Sequence, residues 1–164
     1  SPMIVPLIIT SAGMFFFYSK IGLTHTYLGL ILAHTALGTP FVVITVTATL
    51  TGFDTNLIRA SQSLGADTMR TFFKVIMPLI LPGVISGGLF AFITSFDEVV
   101  VVMFVGSVEQ ITIPKQMWAG LRQETSPVIL CMATCLVALS IALLTTVELL
   151  RRRSERLRGI KLRN

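Results

Sequence analysis

The chain has 164 residues, of which 53% are hydrophobic and only 13% are charged, with a formal net charge of +5 and a mean hydropathy of +0.82. A water-soluble domain carries roughly twice that charged fraction. The composition therefore excludes an ordinary soluble domain and indicates a membrane protein.

Uncharged segments long enough to cross a membrane recur along the chain. A bilayer core of about 30 Å requires about 20 apolar residues of helix. The segments of about this length are residues 2–19, 26–53, 75–96 and 125–147. We therefore predict an all-α fold, a polytopic transmembrane helical bundle with about four spans. The uncharged segment 99–108 is too short to cross alone, and we interpret it as the outer end of the third span or as a re-entrant piece.

The chain starts almost at its first span. No basic leader and no small-residue cleavage site bracket this segment, as they would in a signal peptide, so we expect the chain to be the C-terminal part of a longer membrane protein. In the last span, Cys131 and Cys135 are one helical turn apart. Such cysteines are usually small buried hydrophobic residues, and two thiols are too few for a metal site. No metal site is predicted.

The basic residues divide unevenly between the two sides of the bundle. Ten of them, in residues 52–74 and 151–164, share one side if the spans alternate, whereas three lie on the other. The positive-inside rule then places the loop 52–74 and the tail 151–164 in the cytoplasm, and residues 20–25 and 106–124 outside. Residues 1–150 thus form the transmembrane domain, and the position of the basic tail favours contact with anionic lipid over nucleic acid.

The loop between the second and third spans has the pattern of two short helices rather than of a flexible linker. Asp54 is a capping residue ahead of apolar residues at helical spacing, and Gly65 stands where that helix should stop. Asp67 or Thr68 then caps a second helix, and two prolines four residues apart favour a kink at the start of the third span. Such a helix pair near the bilayer is suited either to docking a partner or to resting on lipid headgroups, and the residues alone leave both open.

The segment "RASQSLGADTMRTFFKVIMP", residues 59–78, resembles the EAA loop of the permease subunits of binding-protein-dependent ABC importers. That pattern reads Glu-Ala-Ala, three residues, Gly, nine residues, then Ile-x-Leu-Pro. Its first Ala, its Gly and its Pro fall on Ala60, Gly65 and Pro78, whereas Arg59 stands in place of the Glu. The resemblance implies docking to a cytoplasmic ATPase. The residues implied in this coupling are Arg59, Ala60, Ser61, Leu64, Gly65, Ala66, Val75, Met77 and Pro78.

Three further segments resemble the polyamine branch of these importers, the spermidine/putrescine permeases: "TPFVVITVTATLTGFD", "GVISGGLFAFITSFDEVVVVMFV" and "TIPKQMWAGLRQETSP". The resemblance implies an ABC importer type I permease-like bundle, in which these four spans are the last of an expected six. It also implies three kinds of partner: cytoplasmic ATPase subunits, a second permease subunit and an extracytoplasmic solute-binding protein. ATP and Mg would be bound by the ATPase, because this chain has no phosphate-binding loop motif. No cofactor is predicted in the chain itself.

Two acidic residues and a group of glycines complete the candidate sites. Asp97 and Glu98 lie at the outer end of the third span, where a carboxylate either lines a pathway for a cation or faces water at a helix end. Both are predicted as pathway residues, with the helix end as the open alternative. Gly83, Gly87 and Gly88 have the spacing that lets membrane helices pack closely.

These patterns together predict a permease subunit of the bacterial inner membrane, multi-pass with a cytoplasmic C-terminus, that moves a small cation such as spermidine or putrescine. No catalytic set is recognisable, so an enzyme is not predicted, and His34 in the second span is expected to be satisfied by a neighbour. One alternative keeps the importer and changes the cargo to an opine, an amino acid or another small solute. The others are a secondary transporter driven by an ion gradient and a noncatalytic assembly subunit.

Overall fold

The computed structural model describes residues 5–123 and 127–157, and within these ranges every regular element is a helix. The helices are α1 (Leu7–Lys20), α2 (Tyr27–Thr51), α3 (Asn56–Ser63), α4 (Thr68–Thr71), α5 (Met77–Phe96), α6 (Val100–Val105), α7 (Ile113–Gln123) and α8 (Pro127–Leu157). A π-helical turn, Phe72–Ile76, joins α4 to α5 without a break. The predicted all-α helical bundle is confirmed.

Three helices in the described ranges are long and apolar enough to cross a membrane. They are Tyr27–Thr51, the continuous helix Thr68–Phe96 and Pro127–Thr146. They correspond to the predicted second, third and fourth spans, although the predicted start of the fourth at residue 125 lies outside the described residues. The third helix also includes α4, so the second half of the preceding loop runs directly into the span.

The first apolar helix is shorter than its predicted span of residues 2–19. Pro6 has an extended backbone, with φ −52° and ψ 134°, so α1 begins only at Leu7 and ends at Lys20. Its 14 residues rise about 21 Å, against about 30 Å of hydrocarbon. Within the described residues, three helices therefore reach the length of a span, and the predicted first span contains a shorter apolar helix. Residues 1–4 of the predicted first span lie outside the described residues.

The main helix pair of the bundle is α2 with α5, and glycines on α5 allow the two backbones to approach. A Cβ added at Gly83 would meet the Thr49 hydroxyl, and one added at Gly87 would meet the Thr45 hydroxyl. At Gly88, by contrast, nothing lies within 4 Å of an added Cβ. Of the three predicted packing glycines, Gly83 and Gly87 thus lie in the contact with α2, and Gly88 lies outside it.

The most buried side chains lie where α6 meets α1 and α2. The three inward-facing valines of α6 have no exposed surface. The cluster consists of Tyr18, Leu30, Ala33, Leu37, Val101, Val102 and Val105. Because α5 ends at Phe96 and α6 begins only at Val100, the uncharged segment 99–108 contains a separate short helix inside the bundle. This arrangement favours the re-entrant interpretation over an extension of the third span.

The last helix, α8, lies at the edge of the bundle. No residue of Pro127–Thr146 is buried within this chain, because α8 contacts mainly α5 and α7. Cys131 and Cys135 are exposed free thiols, so the expectation that they are buried is wrong for this chain. The helix continues to Leu157, so the basic tail 151–164 begins as an extension of the span, and the rest of the tail lies outside the described residues.

Candidate functional site

The loop between α2 and α5 is built as two helical arms that meet at a glycine. Ahead of α3, the Asp54 carboxylate accepts a hydrogen bond from the Asn56 N–H at 2.9 Å. The first arm ends where Gly65 adopts φ +81°, and the Ala66 N–H donates to the Ser61 carbonyl at 3.1 Å. This left-handed termination requires glycine for its backbone and not for space, because nothing lies within 4 Å of an added Cβ. The predicted helix end at Gly65 is confirmed.

The second arm begins at Asp67, one of the two predicted caps. Its carboxylate accepts a hydrogen bond from the Arg70 N–H at 2.9 Å, whereas Thr68 is the first residue of α4. A pair of hydroxyl groups then joins the arms, since Ser61 Oγ lies 3.0 Å from Thr71 Oγ1, and Thr71 is only 2% exposed. Ser61 stands where the EAA pattern has an alanine, which could not form this hydrogen bond.

The second arm enters the membrane through a π-helical turn. At the end of Phe72–Ile76 the Met77 N–H donates to the Phe72 carbonyl, five residues earlier. Pro78 follows in the first turn of α5, where its ring nitrogen has no proton to donate. Prolines and π turns are the two common causes of a sharp helix kink. Here they are adjacent, so the structure places a π turn just ahead of the proline at which the sequence predicts the kink.

The surface of the loop that faces away from the bundle is exposed within this chain. Leu64 is 88% exposed and Met69 is 65% exposed, and Arg59 and Ala60 on α3 are exposed as well. Of the other residues predicted to take part in coupling, Gly65 is exposed, and those that are half-buried are Ser61, Ala66, Val75, Met77 and Pro78. Exposed apolar groups of this kind have no packing role in the chain itself, as is typical of a docking surface. Arg59 adds a positive charge to it where the EAA pattern has a negative one.

The two predicted pathway acids are neighbours in sequence but differ in environment. Both line a cavity of about 370 Å³ beside α1 and α2, but Asp97 ends α5 and is exposed. Glu98 is only 6% exposed, and its carboxylate oxygens accept hydrogen bonds from the Val101 N–H at 2.8 Å and the Val102 N–H at 3.2 Å. Glu98 therefore binds the first N–H groups of α6 as a buried acid, so it does not face water as the helix-end alternative expects. Asp97 is exposed at the end of α5 and also lines the cavity, so both alternatives stay open for it.

The other end of α6 is held by a residue that sequence reasoning did not select. His25 has φ 61°, and its N–H donates to the Val105 carbonyl at 2.9 Å. Its Nδ1 lies 3.1 Å from the Gly106 carbonyl oxygen, 81 positions away in the sequence. A non-glycine residue in the left-handed region is uncommon and persists where its surroundings hold it. Glu98 and His25 thus fix α6 at its two ends.

A larger cavity, of about 770 Å³, forms a cleft along one face of α2. Its walls come from α2, the end of α5, Val102 of α6 and residues 109–112. Ser95 Oγ lies 2.9 Å from His34 Nδ1 in this cleft, so the neighbour expected for His34 is a serine on α5. Glu109 also lines the cleft. Sequence reasoning missed this acid, because no local pattern in the loop between α6 and α7 places a side chain against α2.

Comparison with known proteins extends over nearly the whole chain. Residues 2–156 match the family described as binding-protein-dependent transport system inner membrane component. The spermidine/putrescine transport system permease protein PotC of Haemophilus influenzae is 32% identical over 152 residues, which are 93% of this chain and 59% of that protein. PotC of Escherichia coli K12 is 30% identical over 150 residues, or 92% of this chain and 57% of that protein.

A third relative is the putrescine transport system permease protein PotI of Escherichia coli K12. It is 28% identical over 145 residues, which are 84% of this chain and 51% of that protein. The chain thus spans between about half and three fifths of the length of these curated relatives. The similarity includes both the loop between α2 and α5 and the outer segment that contains α6.

Proposed function

The chain belongs to the family of binding-protein-dependent transport system inner membrane components, and from this premise we propose that it is a membrane-spanning permease subunit of an ATP-driven importer. In this role it forms part of the translocation pathway and hydrolyses no ATP itself. A cytoplasmic ATPase, which binds ATP and Mg, supplies the energy. A second permease subunit and an extracytoplasmic solute-binding protein complete the transporter.

The observation that carries this proposal is the construction of the loop 54–78. Its two arms are defined by a capping aspartate, by the left-handed turn at Gly65 and by the contact between the hydroxyls of Ser61 and Thr71. The second arm is continuous with the span in Thr68–Phe96. A rigid element of this kind transmits a displacement, which a flexible linker would absorb. This supports the docking interpretation over a loop that rests on lipid headgroups.

In the proposed cycle, the exposed surface of the loop lies in a groove of the ATPase. Nucleotide binding moves that groove, and the two arms move with it as one unit. The π turn Phe72–Ile76 is where the angle between the loop and α5 changes, because a π turn interrupts the regular hydrogen-bond pattern. The close contact of Gly83 and Gly87 with α2 then passes the motion to the helix that lines the large cleft.

We propose a small cationic solute of the polyamine class as the cargo. Relatives with 32% and 30% identity are named for spermidine and putrescine. The exposed Asp97 carboxylate at the outer end of α5 supports a cationic cargo, because a carboxylate near hydrocarbon replaces part of the hydration that an ammonium group loses. An importer for an opine, an amino acid or another small solute is the alternative, and binding assays with the partner solute-binding protein distinguish these cargoes.

We also propose that the chain is a multi-pass protein of the bacterial inner membrane, with the loop 54–78 and the C-terminus in the cytoplasm. The basis is the concentration of basic residues in the loop 52–74 and the tail 151–164. With this orientation, His25, α6 and residues 109–112 lie on the outer side, where the solute-binding protein delivers cargo.

The test is reconstitution of the complete transporter in proteoliposomes, followed by measurement of labelled spermidine and putrescine uptake. We expect uptake that requires ATP on the cytoplasmic side, the solute-binding protein outside and this chain in the complex. Uptake that follows an imposed ion gradient without ATP would instead identify a secondary transporter. Full uptake from a complex assembled without this chain would reduce it to an assembly subunit.

A further inference from the structure

The large cleft follows a single face of α2 from its outer end toward the middle of the membrane. The residues of α2 that line it recur every three or four positions from Tyr27 to Val43, as expected for one face of a helix. From Tyr27 to Val42 the helix rises about 22 Å. The cleft therefore connects the outer surface with the bundle interior, which is the course that a solute entering from outside would follow.

The walls of this cleft are aliphatic, and the charge at its outer end is negative. Leu30, Ile31 and Val42 contribute apolar surface along α2. Glu109 is the acidic residue among the lining side chains, which include no lysine or arginine. Tyr27, which is 72% exposed, lines the same cleft. A carboxylate and an aromatic ring in one cleft are a combination that favours an organic cation.

The Glu109 carboxylate is free to receive such a cation. Among the residues that the structure describes, its side chain forms no ion pair or hydrogen bond. The nearby ammonium group of Lys115 is engaged elsewhere, since its Nζ donates to the carbonyl of Ser107 at 2.9 Å and to that of Gln110 at 3.2 Å. These bonds also hold the backbone of Ser107 and Gln110 on either side of Glu109, so the exposed side chain of Glu109 extends from a fixed segment.

A second polar point lies deeper in the cleft. His34 is seven residues beyond Tyr27, which is about 10 Å along α2, and its Nδ1 lies 2.9 Å from Ser95 Oγ. Whichever of the two donates the proton, the pair keeps a lone pair that can accept another hydrogen bond. The cleft thus offers an anionic group outside, an aliphatic wall, and an acceptor about two helical turns farther in.

We propose that this cleft binds aliphatic diamines and longer polyamines, with one ammonium group held by Glu109 and Tyr27 and a second near His34 and Ser95. The methylene chain lies against the wall formed by Leu30 and Ile31. This inference rests on the proposed transport of a small cationic solute and assigns the recognition of its charge to Glu109, a residue outside the predicted pathway pair Asp97 and Glu98.

The experiment measures how well a diamine protects the cleft from chemical labelling in the complete transporter. The exposed thiols Cys131 and Cys135 are replaced by serine, and Thr39, which lines the cleft, is replaced by cysteine. The neutral reagent N-ethylmaleimide labels that cysteine. Putrescine should slow the labelling, whereas the neutral diol of the same chain length should not. Glu109→Gln should raise the putrescine concentration that gives half protection about tenfold, and Glu109→Asp should retain most of the protection.

A displaced carboxylate is the matched control. Val108 is 90% exposed and is not among the residues that line the cleft. In the double variant Glu109→Gln with Val108→Glu, the loop regains its charge outside the cleft, and we expect no recovery of protection. Full recovery would show that general surface charge, not this site, attracts the cation, and would overturn the proposal.

Two other results would also overturn it. A cysteine at position 39 that resists labelling without any diamine would show that another subunit fills the cleft. Equal protection by putrescine with and without Glu109 would show that this carboxylate does not bind the cation. Polyamine uptake by the same proteoliposomes is measured in parallel. Uptake without any protection at this cleft would contradict the proposed binding site and leave the proposed function in place.

Discussion

The loop 54–78 and the outer segment 97–112 both interrupt an apolar bundle, but they are held in different ways. In the loop, the link between the two arms joins Ser61 and Thr71, ten positions apart. In the outer segment, His25 holds the end of α6 from 81 positions away. A region held by its own bonds can move as one body relative to the bundle, whereas a region bonded to other helices moves only with them. The bonds of the loop are thus compatible with the proposed movement of its two arms as one unit, whereas α6 is fixed to the neighbouring helices.

The largest expected effect lies in the packing on α2 of α5, the helix that connects the two regions. Gly87→Val places a side chain against the Thr45 hydroxyl and the Phe41 carbonyl, and overpacking of this kind costs about 1–3 kcal/mol. We expect the complex to lose thermal stability and to assemble poorly, as measured by its melting and by size-exclusion chromatography. The adjacent Gly88→Val is the control, because nothing lies within 4 Å of a Cβ at that position. Equal losses in both variants would contradict the packing of α5 on α2.

The next largest effect is expected at Gly65, the turn between the two arms of the loop. Gly65→Asp puts a side chain and a negative charge at φ +81°, a left-handed conformation that costs most residues with a Cβ about 1–2 kcal/mol and aspartate less than that. We expect uptake to fall about tenfold or more while ATP hydrolysis no longer responds to the loaded solute-binding protein. Gly52→Ala is the matched control, because Gly52 has φ −93° and open space around it. Normal coupling in Gly65→Asp would contradict the proposal that the two arms of the loop transmit motion as one rigid unit.

Replacement of Glu98 tests whether its carboxylate fixes the start of α6. Glu98→Ala removes both hydrogen bonds to the start of α6, and the loss of a helix cap costs about 0.5–2 kcal/mol. Glu98→Gln keeps an oxygen that can accept one of these bonds, so it should retain most of the stability and of the uptake. If Glu98 acted as a cation ligand instead, the glutamine variant would lose uptake while its melting temperature stayed normal.

Replacement of Asp97, the neighbour of Glu98, should lower uptake and not stability. Asp97 is exposed, so Asp97→Asn should leave the melting temperature unchanged. An exposed ion pair contributes about 0.2–1 kcal/mol, and we expect polyamine uptake to fall by a factor of about two to five. Uptake and assembly lost together would mean that Asp97 serves the helix end and not the pathway.

The smallest effect concerns the hydroxyl pair within the loop. Ser61→Ala removes the contact with Thr71, which is worth about 0.5–1.5 kcal/mol. We expect faster amide hydrogen exchange in the loop and a modest loss of coupling. Ser63→Ala removes a hydroxyl that bonds only within α3, to the Arg59 carbonyl at 2.9 Å, and it should change neither. The same exchange rate in both variants would show that the link between the arms is unimportant.

The difference between the two regions also explains what could be predicted from the sequence. The turn at Gly65 and the cap at Asp67 are defined by bonds to residues within five positions, so their residue types reveal them. The spacing of Gly83 and Gly87 likewise marks one face of a single helix. Local sequence patterns were therefore enough to predict all of these features.

The outer segment depends on contacts that local patterns do not encode. His25 and Gly106 are brought together by the packing of α6 against α1 and α2. The sequence around either residue contains no pattern that predicts this contact. The position of Glu109 in the cleft has the same origin. The short first helix follows from the extended backbone of Pro6, which an uncharged segment alone does not reveal. These features required the folded arrangement of the helices.

Docking of the loop 54–78 to a cytoplasmic ATPase can be detected by photo-crosslinking in the complete transporter. A photoreactive phenylalanine derivative is placed at Leu64 in one variant and at Val108 in another, two apolar positions that are 88% and 90% exposed. We predict a crosslink from position 64 to the ATPase whose yield changes with bound nucleotide, and none from position 108. No crosslink to the ATPase from position 64, or an equal yield from both positions, would contradict the account.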